Sequence, residues 1–175
     1  MNVRSTVVTA AALGVLLATA PAAAAAVRVD VSAQDRAYLN QAHQNNLFEI
    51  VAGNLVDRGG CARVRELGPR FAAHHTALDA ELIGVATRTD TTLYSVPDPG
   101  QLTRIADLST RSGDDFDTAW LRDQLAAHLR GLAEGEVETR SGWSPEVKDL
   151  AARTAPVLRH HLEEVVAAMA ECTPG

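Results

Sequence analysis

Two cysteines, Cys61 and Cys172, constrain the fold of this 175-residue chain more than any other feature of its sequence. A disulfide requires two Cα atoms within about 7 Å of each other, so a bond between these residues would join distant parts of the chain. In an exported protein two cysteines most simply form one structural disulfide, and free thiols or a metal-binding pair are the alternatives. We predict the disulfide.

The first 26 residues have the pattern of a secretory signal peptide. Arg4 provides a positive charge, residues 7–20 form an apolar run, and Pro21 precedes the alanines at 22–26, which suit cleavage. An uncleaved membrane anchor is the alternative, but the apolar run is short for a membrane span. We therefore predict an exported protein, secreted or in the cell envelope, with no stable membrane insertion after cleavage.

The charge of the chain argues against two classes of partner. The net charge is −6, and a mature chain without Arg4 has 15 basic and 22 acidic residues, a net charge of about −7. An acidic protein is a poor ligand for nucleic acid or anionic lipid. The sequence has no phosphate-binding loop, Ser-His-Asp order or reactive cysteine context. It therefore indicates no nucleotide or organic cofactor and no catalytic residue, and it identifies no protein partner.

Hydrophobic periodicity predicts an all-α protein with one four-helix-bundle domain over residues 32–172. Ser32 and Asp35 resemble a capping box, and Pro145 after Ser144 is a strong helix start. The second helix contains Gly68-Pro69, which predicts a kink or a restart. The predicted helices span about residues 33–58, 62–87, 116–140 and 145–171.

The connection between the second and third predicted helices, residues 89–114, is much longer than a turn. It contains a short amphipathic piece with Leu102, Ile105 and Leu108. About 25 residues can run the ~36 Å length of a helix. Such a crossover also brings the end of the last helix to the pole that holds Cys61, whereas short turns would put it at the opposite pole. Both features predict a ferritin-like bundle.

The six histidines all fall in predicted helices, as His43, His74, His75, His128, His160 and His161. Imidazole binds Zn, Cu, Fe or Ni, but a histidine on an apolar helix is also often a hydrogen-bonded packing residue. Neighbouring histidines point ~100° apart, so at most one of each His-His pair faces the interior. His75 and Asp79 share a helix face. The Glu-x-x-His pair of di-iron bundles does not occur, and Asp117 is interpreted as a partner of its own helix dipole.

Several short patterns between Asp35 and Met169 are together specific. They are Glu49-Ile50 before Gly53, His75 before Glu81-Leu82, Leu108-Ser109 before Phe116-Asp117, His128 twelve residues after Phe116, and Pro156 before His161-Leu162. In these patterns the chain resembles an exported, ferritin-like helical bundle family of bacteria that has no assigned function and is often labelled as outer-membrane protein. At His74, where the family usually has an acidic residue, and at Pro69 the sequence departs from the family.

The resemblance implies a candidate metal site. Carried over by position, the family pattern falls on Glu49, His75, His128 and His161, with Glu136 as a fifth candidate. It therefore selects one member of each His-His pair. We expect an exported bundle of unassigned biochemical role, and the binding of a transition metal ion in its core is the first hypothesis for that role. The alternative is a non-catalytic envelope or extracellular module without metal, and metal uptake by the purified protein separates the two.

Overall fold

The computed structural model describes residues 30–172, so the predicted signal peptide lies outside the described residues. This part of the chain contains five α-helices, one short 3-10 helix and no β-strand, which confirms the all-α prediction. None of its helices is both long and apolar enough to cross a membrane. The α-helices are α1 (Ala33–Gly53), α2 (Ala62–Arg88), α3 (Pro99–Thr110), α4 (Gly113–Ser141) and α5 (Pro145–Cys172).

The first helix is shorter than its predicted span of residues 33–58. It begins with the expected capping box, in which Ser32 Oγ accepts a hydrogen bond from Asp35 N at 3.1 Å. It ends because Asn54 Nδ2 donates to the carbonyl oxygen of Ile50 at 2.8 Å, which occupies an acceptor that another helical turn would use. The chain then forms the 3-10 helix Val56–Arg58.

Two other helices differ from the sequence expectation at their ends or in their continuity. α2 runs through Pro69 as one element and does not restart there. α4 begins at Gly113, three residues before the predicted start, because Ser112 is its N-cap and Gly113 adopts a φ of +59° that favours glycine.

The long connection contains a regular helix of its own, α3. Asp98 begins it with a second capping box, in which Asp98 Oδ1 accepts a hydrogen bond from Gln101 N at 2.9 Å. Pro99 then takes the first helical position, where its missing N–H costs nothing. The predicted amphipathic piece packs against α1 and α4 with its leucine Leu108 fully buried.

The interior has two apolar clusters with polar residues between them. One cluster centres on Phe48, Phe71, Phe116 and Trp120, and the other on Tyr38, Leu39, Leu82 and Leu150. Along α1, α2, α4 and α5, buried polar residues fall between the positions that belong to the two clusters or directly beside them. These residues are His43, Asn45, Asn46, Glu49, His75, Asp79, His128 and His161. The helices therefore carry a buried polar layer across the middle of an otherwise apolar core.

One end of the molecule, which we call the cystine pole, joins α2, α4 and α5. The Cα atoms of Cys61 and Cys172 lie 5.7 Å apart, at the disulfide distance that the sequence predicts. Asp117 Oδ2 accepts hydrogen bonds from Gly60 N at 3.0 Å and from Cys61 N at 2.7 Å. Asp117 thus binds the chain just before α2, and the interpretation as a partner of its own helix dipole is wrong.

The crossing of α1 and α2 depends on two glycines. A Cβ atom on Gly53 would lie 2.5 Å from the carbonyl oxygen of Gly68, and one on Gly68 would lie 2.4 Å from Val56 Cγ1. Both distances are far inside van der Waals contact, so a side chain at either position would force the helices apart. The two glycines therefore set the separation of α1 and α2.

Candidate metal centre

Three helices each contribute one histidine to a cluster in the polar layer. His75 lies on α2, His128 on α4 and His161 on α5, and all three are fully buried. One ring nitrogen from each lies within 4.8 Å of the other two. We call this cluster the histidine triad. The structure thus brings together three of the four residues that the sequence singled out as metal ligands.

The hydrogen bonds of two triad members determine which ring nitrogen is free. His128 Nδ1 donates to the backbone oxygen of Gln124 at 2.8 Å. His75 Nδ1 donates to Asn46 Oδ1 at 2.9 Å, and Asn46 Nδ2 donates to Asp79 Oδ1 at 3.3 Å, which fixes the orientation of the amide. Both rings therefore carry their proton on Nδ1 and have a lone pair on Nε2. His75 Nε2 is buried without a hydrogen-bond partner among the described residues.

The third triad member is held between two other histidines and a phenyl ring. His161 Nδ1 lies 3.0 Å from His128 Nε2, and His161 Nε2 lies 2.8 Å from Nδ1 of the exposed His74. The ring of Phe71 stacks on the His161 ring with the centroids 4.1 Å apart. His161 is therefore the triad member that links the buried cluster to the surface.

Burial keeps the triad neutral. Desolvation lowers the pKa of His128 to about 4 and, together with the nearby histidines and Arg70, lowers the pKa of His161 to about 3. The pKa of His75 is lowered well below its ordinary value, first by burial and then by the other histidines. At pH 7 all three imidazoles are uncharged, which is the form that binds a metal ion.

Glu49, the fourth predicted ligand, lies beside the triad and not within it. Its Oε1 is 3.9 Å from His128 Nδ1, on the side of that ring opposite Nε2. The carboxyl group is fully buried, and neither oxygen has a hydrogen-bond partner among residues 30–172. Burial raises the pKa of Glu49 to about 8, and the Gln124 side chain only partly opposes this effect. The structure thus places a mostly protonated carboxyl group next to three neutral imidazoles.

Comparison with known proteins adds a family but no activity. A family model described as Domain of unknown function (DUF4142) matches residues 18–168. The chain belongs to this family. This result confirms the predicted membership of a family of unknown function, whereas the ferritin-like arrangement and the export stay predictions. No curated protein and no solved structure matches the chain. The case for a site in this DUF4142 protein therefore rests on its own geometry.

Three other residues of the polar layer, His43, Asn46 and Asp79, support the triad of this DUF4142 protein from the side of α1. Asp79 Oδ1 lies 2.7 Å from His43 Nδ1 and also accepts the hydrogen bond from Asn46. Asp79 was expected to share a face with His75, and it reaches His75 only through the Asn46 amide. His43, Asp79, Asn46 and His75 thus form one hydrogen-bonded chain. Sequence reasoning missed Asn46, since nothing in its local sequence distinguishes it from Asn45.

The remaining candidates lie outside the triad. Glu136, the fifth residue that the resemblance suggested, is exposed on α4 and pairs with Arg140 at 3.2 Å, so the structure does not bring it to the site. His160 is exposed and lies 3.7 Å from Glu164 Oε2. Glu164 also pairs with Arg70 of α2, which ties α2 to α5 close to the triad. His74 was not predicted as part of the site, and its contact with His161 depends on how α2 and α5 pack.

Proposed function

We propose that this protein binds one transition metal ion through His75, His128 and His161. The observation that carries the proposal is the convergence of three fully buried, neutral imidazoles from three different helices, with ligand atoms within 4.8 Å of one another. A buried nitrogen with a lone pair is costly unless something binds it, and His75 Nε2 has no partner within the described part of the chain. A metal ion would satisfy it.

The donor set favours borderline ions over hard ones. Three imidazole nitrogens suit Zn, Cu, Fe or Ni, whereas Mg and Ca prefer oxygen ligands. Nitrogens bound to one zinc ion at about 2.0–2.1 Å would lie ~3.4 Å apart in tetrahedral geometry. His128 Nε2 and His161 Nδ1 are already 3.0 Å apart, so binding would move these two nitrogens slightly apart. With three protein ligands, such an ion would keep at least one position open for water or another ligand.

The proposal includes where the protein acts and how its helices are arranged. We infer export through the segment of residues 1–26 and a ferritin-like four-helix bundle of α1, α2, α4 and α5, with the crossover at residues 89–114. The signal-like sequence of residues 1–26, the cysteine pair at disulfide distance and the contacts of α1 with α4 and of α2 with α5 support these inferences. The role is then that of an extracytoplasmic metal-binding protein.

Elemental analysis of the folded, oxidised protein tests the proposal. Purified protein is incubated separately with Zn²⁺, Ni²⁺, Fe²⁺ and Cu⁺ and then freed of excess metal by gel filtration. We expect one equivalent of at least one of these ions per chain. The double variant His75→Ala/His161→Ala should lose it.

The neighbouring residue His160 supplies a matched control. It is exposed and adjacent to His161 in the sequence, so His160→Ala should keep the full equivalent of metal. A wild-type protein that stays metal-free with all four ions would end the proposal and leave the metal-free module as the remaining interpretation. Equal metal binding by the double variant would show that the ion binds elsewhere.

A further inference from the structure

We propose that His74, on the surface, determines which nitrogen of His161 faces the metal ion. The inference rests on the proposed metal site and assigns a positioning residue to it. His74 itself is not a ligand in this scheme, because its Nδ1 is directed at His161 Nε2, on the far side of the His161 ring from His128. It acts by accepting a hydrogen bond from the N–H that His161 must carry on the nitrogen that does not bind metal.

The geometry of the two rings is that of a strong hydrogen bond. Their planes differ by only 8°, their centroids are 5.1 Å apart, and the nitrogens that face each other are 2.8 Å apart. That centroid separation is about the sum of the nitrogen–nitrogen distance and the two ring radii, so the rings are joined edge to edge in one plane. A hydrogen bond in the plane of both rings lies along both nitrogen lone-pair directions.

Without metal, the hydrogen bonds place the proton of His161 on the wrong nitrogen for binding. Because His128 carries its proton on Nδ1, its Nε2 can only accept, and His161 Nδ1 must donate to it. His161 Nε2 then accepts a hydrogen bond from His74 Nδ1. In this state one prospective ligand atom of the triad, His161 Nδ1, is blocked by a proton.

Metal binding requires a change of tautomer at His161, and among the described residues His74 is placed to support it from outside the cluster. When Nδ1 of His161 binds the ion, its proton is given up to water, and the proton on His74 Nδ1 moves across the hydrogen bond to His161 Nε2. His74 takes up a proton from water at its own Nε2. Each ring holds one proton before and after, so the exchange balances, and His161 Nε2 then donates to His74 Nδ1. Such outer hydrogen bonds fix the tautomer and orientation of a metal ligand.

The neighbours of His161 hold its ring in place and leave His74 as its connection to solvent. Phe71 stacks on the His161 ring at 4.1 Å, which holds the ring in its plane. His74 is exposed, so its second nitrogen can exchange protons with solvent, whereas the triad itself is fully buried. The His74–His161 pair therefore connects the buried ligand atom to water through a single hydrogen bond.

Two substitutions of His74 separate a positioning role from simple packing. His74→Asn keeps an acceptor at the position of Nδ1 but removes the ring, and His74→Phe keeps a ring but removes the acceptor. We expect the dissociation constant for Zn²⁺, measured by chelator competition, to rise about 10–100-fold in His74→Phe. In His74→Asn it should stay within a few-fold of wild type. His160→Phe, with a ring placed at the neighbouring exposed position, is the control and should bind like wild type.

The Zn²⁺ affinities of the two His74 variants, compared with wild type, either support or overturn the role of His74. Weaker binding in both His74 variants, in neither, or in His74→Asn alone would overturn the role of His74, provided that the wild type binds Zn²⁺. If His74→Phe does not fold, His74→Ala takes its place as the variant without an acceptor, with the same expectation. A wild-type protein that binds no Zn²⁺ or any other tested ion would overturn the proposed function, and the positioning role with it.

Nitrogen-15 NMR of the histidine rings gives a readout that a packing role would not change. In the metal-free wild type we expect the His161 proton on Nδ1, and in the Zn²⁺-loaded protein on Nε2. The first half of this expectation does not depend on metal binding at all. A metal-free protein with the proton on His161 Nε2 would contradict the proton arrangement on which the role of His74 rests, even if the triad binds metal.

Discussion

Two fully buried carboxyl groups, Asp117 at the cystine pole and Glu49 beside the triad, differ in their hydrogen bonding. Asp117 Oδ2 accepts two backbone hydrogen bonds at 2.7 and 3.0 Å, so its charge stabilises the start of α2. Glu49 has no hydrogen-bond partner for either oxygen among the described residues, and burial raises its pKa to about 8. The Asp117 carboxyl group therefore stabilises the fold, whereas burial of the Glu49 carboxyl group lowers the free energy of unfolding.

This contrast distinguishes a carboxyl group with a structural role from polar groups beside the proposed metal site. Buried polar groups that fold a protein are nearly always hydrogen-bonded, so those that lack partners require an explanation. Among the unpartnered atoms of residues 30–172, Glu49 Oε1, Glu49 Oε2 and His75 Nε2 lie together in the polar layer, whereas Asp117 leaves one oxygen unpartnered and binds two backbone donors with the other. We therefore expect substitutions at the cystine pole to lower stability and substitutions in the polar layer to change metal binding or the pH dependence of stability.

Loss of the disulfide should have the largest effect on stability. The bond joins residues 111 positions apart, and in the chain-entropy model a loop of this length contributes up to about 4–5 kcal/mol. Urea unfolding of Cys61→Ser/Cys172→Ser should show a loss of that order, with the oxidised wild type as reference. The folded variant should bind Zn²⁺ as the wild type does. A parallel loss of affinity would show that the pole and the triad are not independent.

Removal of the Asp117 carboxylate should have the next largest effect. Asp117→Ala leaves Gly60 N and Cys61 N without their charged acceptor, and we expect a loss of about 2–3 kcal/mol in the free energy of unfolding. Asp115→Ala, at an exposed position of the same helix, is the matched control and should unfold like wild type. Equal stability of the two variants would mean that the capping of α2 contributes nothing.

Substitution of Glu49 should raise the free energy of unfolding above neutral pH, whereas the substitutions at the cystine pole lower it. Its pKa is raised from about 4.5 to about 8, so its contribution to stability is complete below pH 4.5 and is lost as pH rises toward 8. Between pH 6.5 and 7.5 it lowers the free energy of unfolding by up to about 1.4 kcal/mol per pH unit. In metal-free Glu49→Gln this slope should disappear. The exposed Glu136→Gln is the control, and an unchanged slope in Glu49→Gln would refute the raised pKa.

The smallest effect should come from Asn46, which holds His75 without belonging to the triad. Asn46→Ala removes the acceptor of the His75 Nδ1 proton, and we expect about a 10-fold weaker Zn²⁺ affinity with one equivalent still bound. Asn40→Ala, on the same helix but bonded to the Thr92 backbone, serves as the control. Unchanged affinity in Asn46→Ala would show that the outer hydrogen bond does not position His75.

The sequence predicted those features that depend on local chemistry or on chain connectivity. Ser32 with Asp35, and Pro145, mark the starts of α1 and α5 because capping is decided within one helical turn. The cysteine pair was predicted because two cysteines in an exported protein most simply form one disulfide. Helical rotation allows at most one member of each His-His pair to face the interior. The family resemblance selected His75 and His161, and both are indeed buried.

Features that depend on the packing between helices were not predictable. The contacts of His74 with His161 and of Asn46 with His75 depend on interhelical separations that no local pattern contains. Glu49 was expected inside the ligand set, but its position on α1 directs its carboxyl group to the Nδ1 side of His128. Asp117 reaches the start of α2 for the same reason, because that distance is set by the fold and not by its own helix.

The two glycines at the crossing of α1 and α2 have a consequence for the metal site that we propose. Gly68 lies two helical turns before His75, and Gly53 lies one turn after Glu49. Even a methyl group at Gly68 would meet the carbonyl oxygen of Gly53 at 2.6 Å and push α1, which holds Asn46, away from α2, which holds His75. The aim of one imidazole at the proposed ion would thus depend in part on two residues that have no side chain and never contact it.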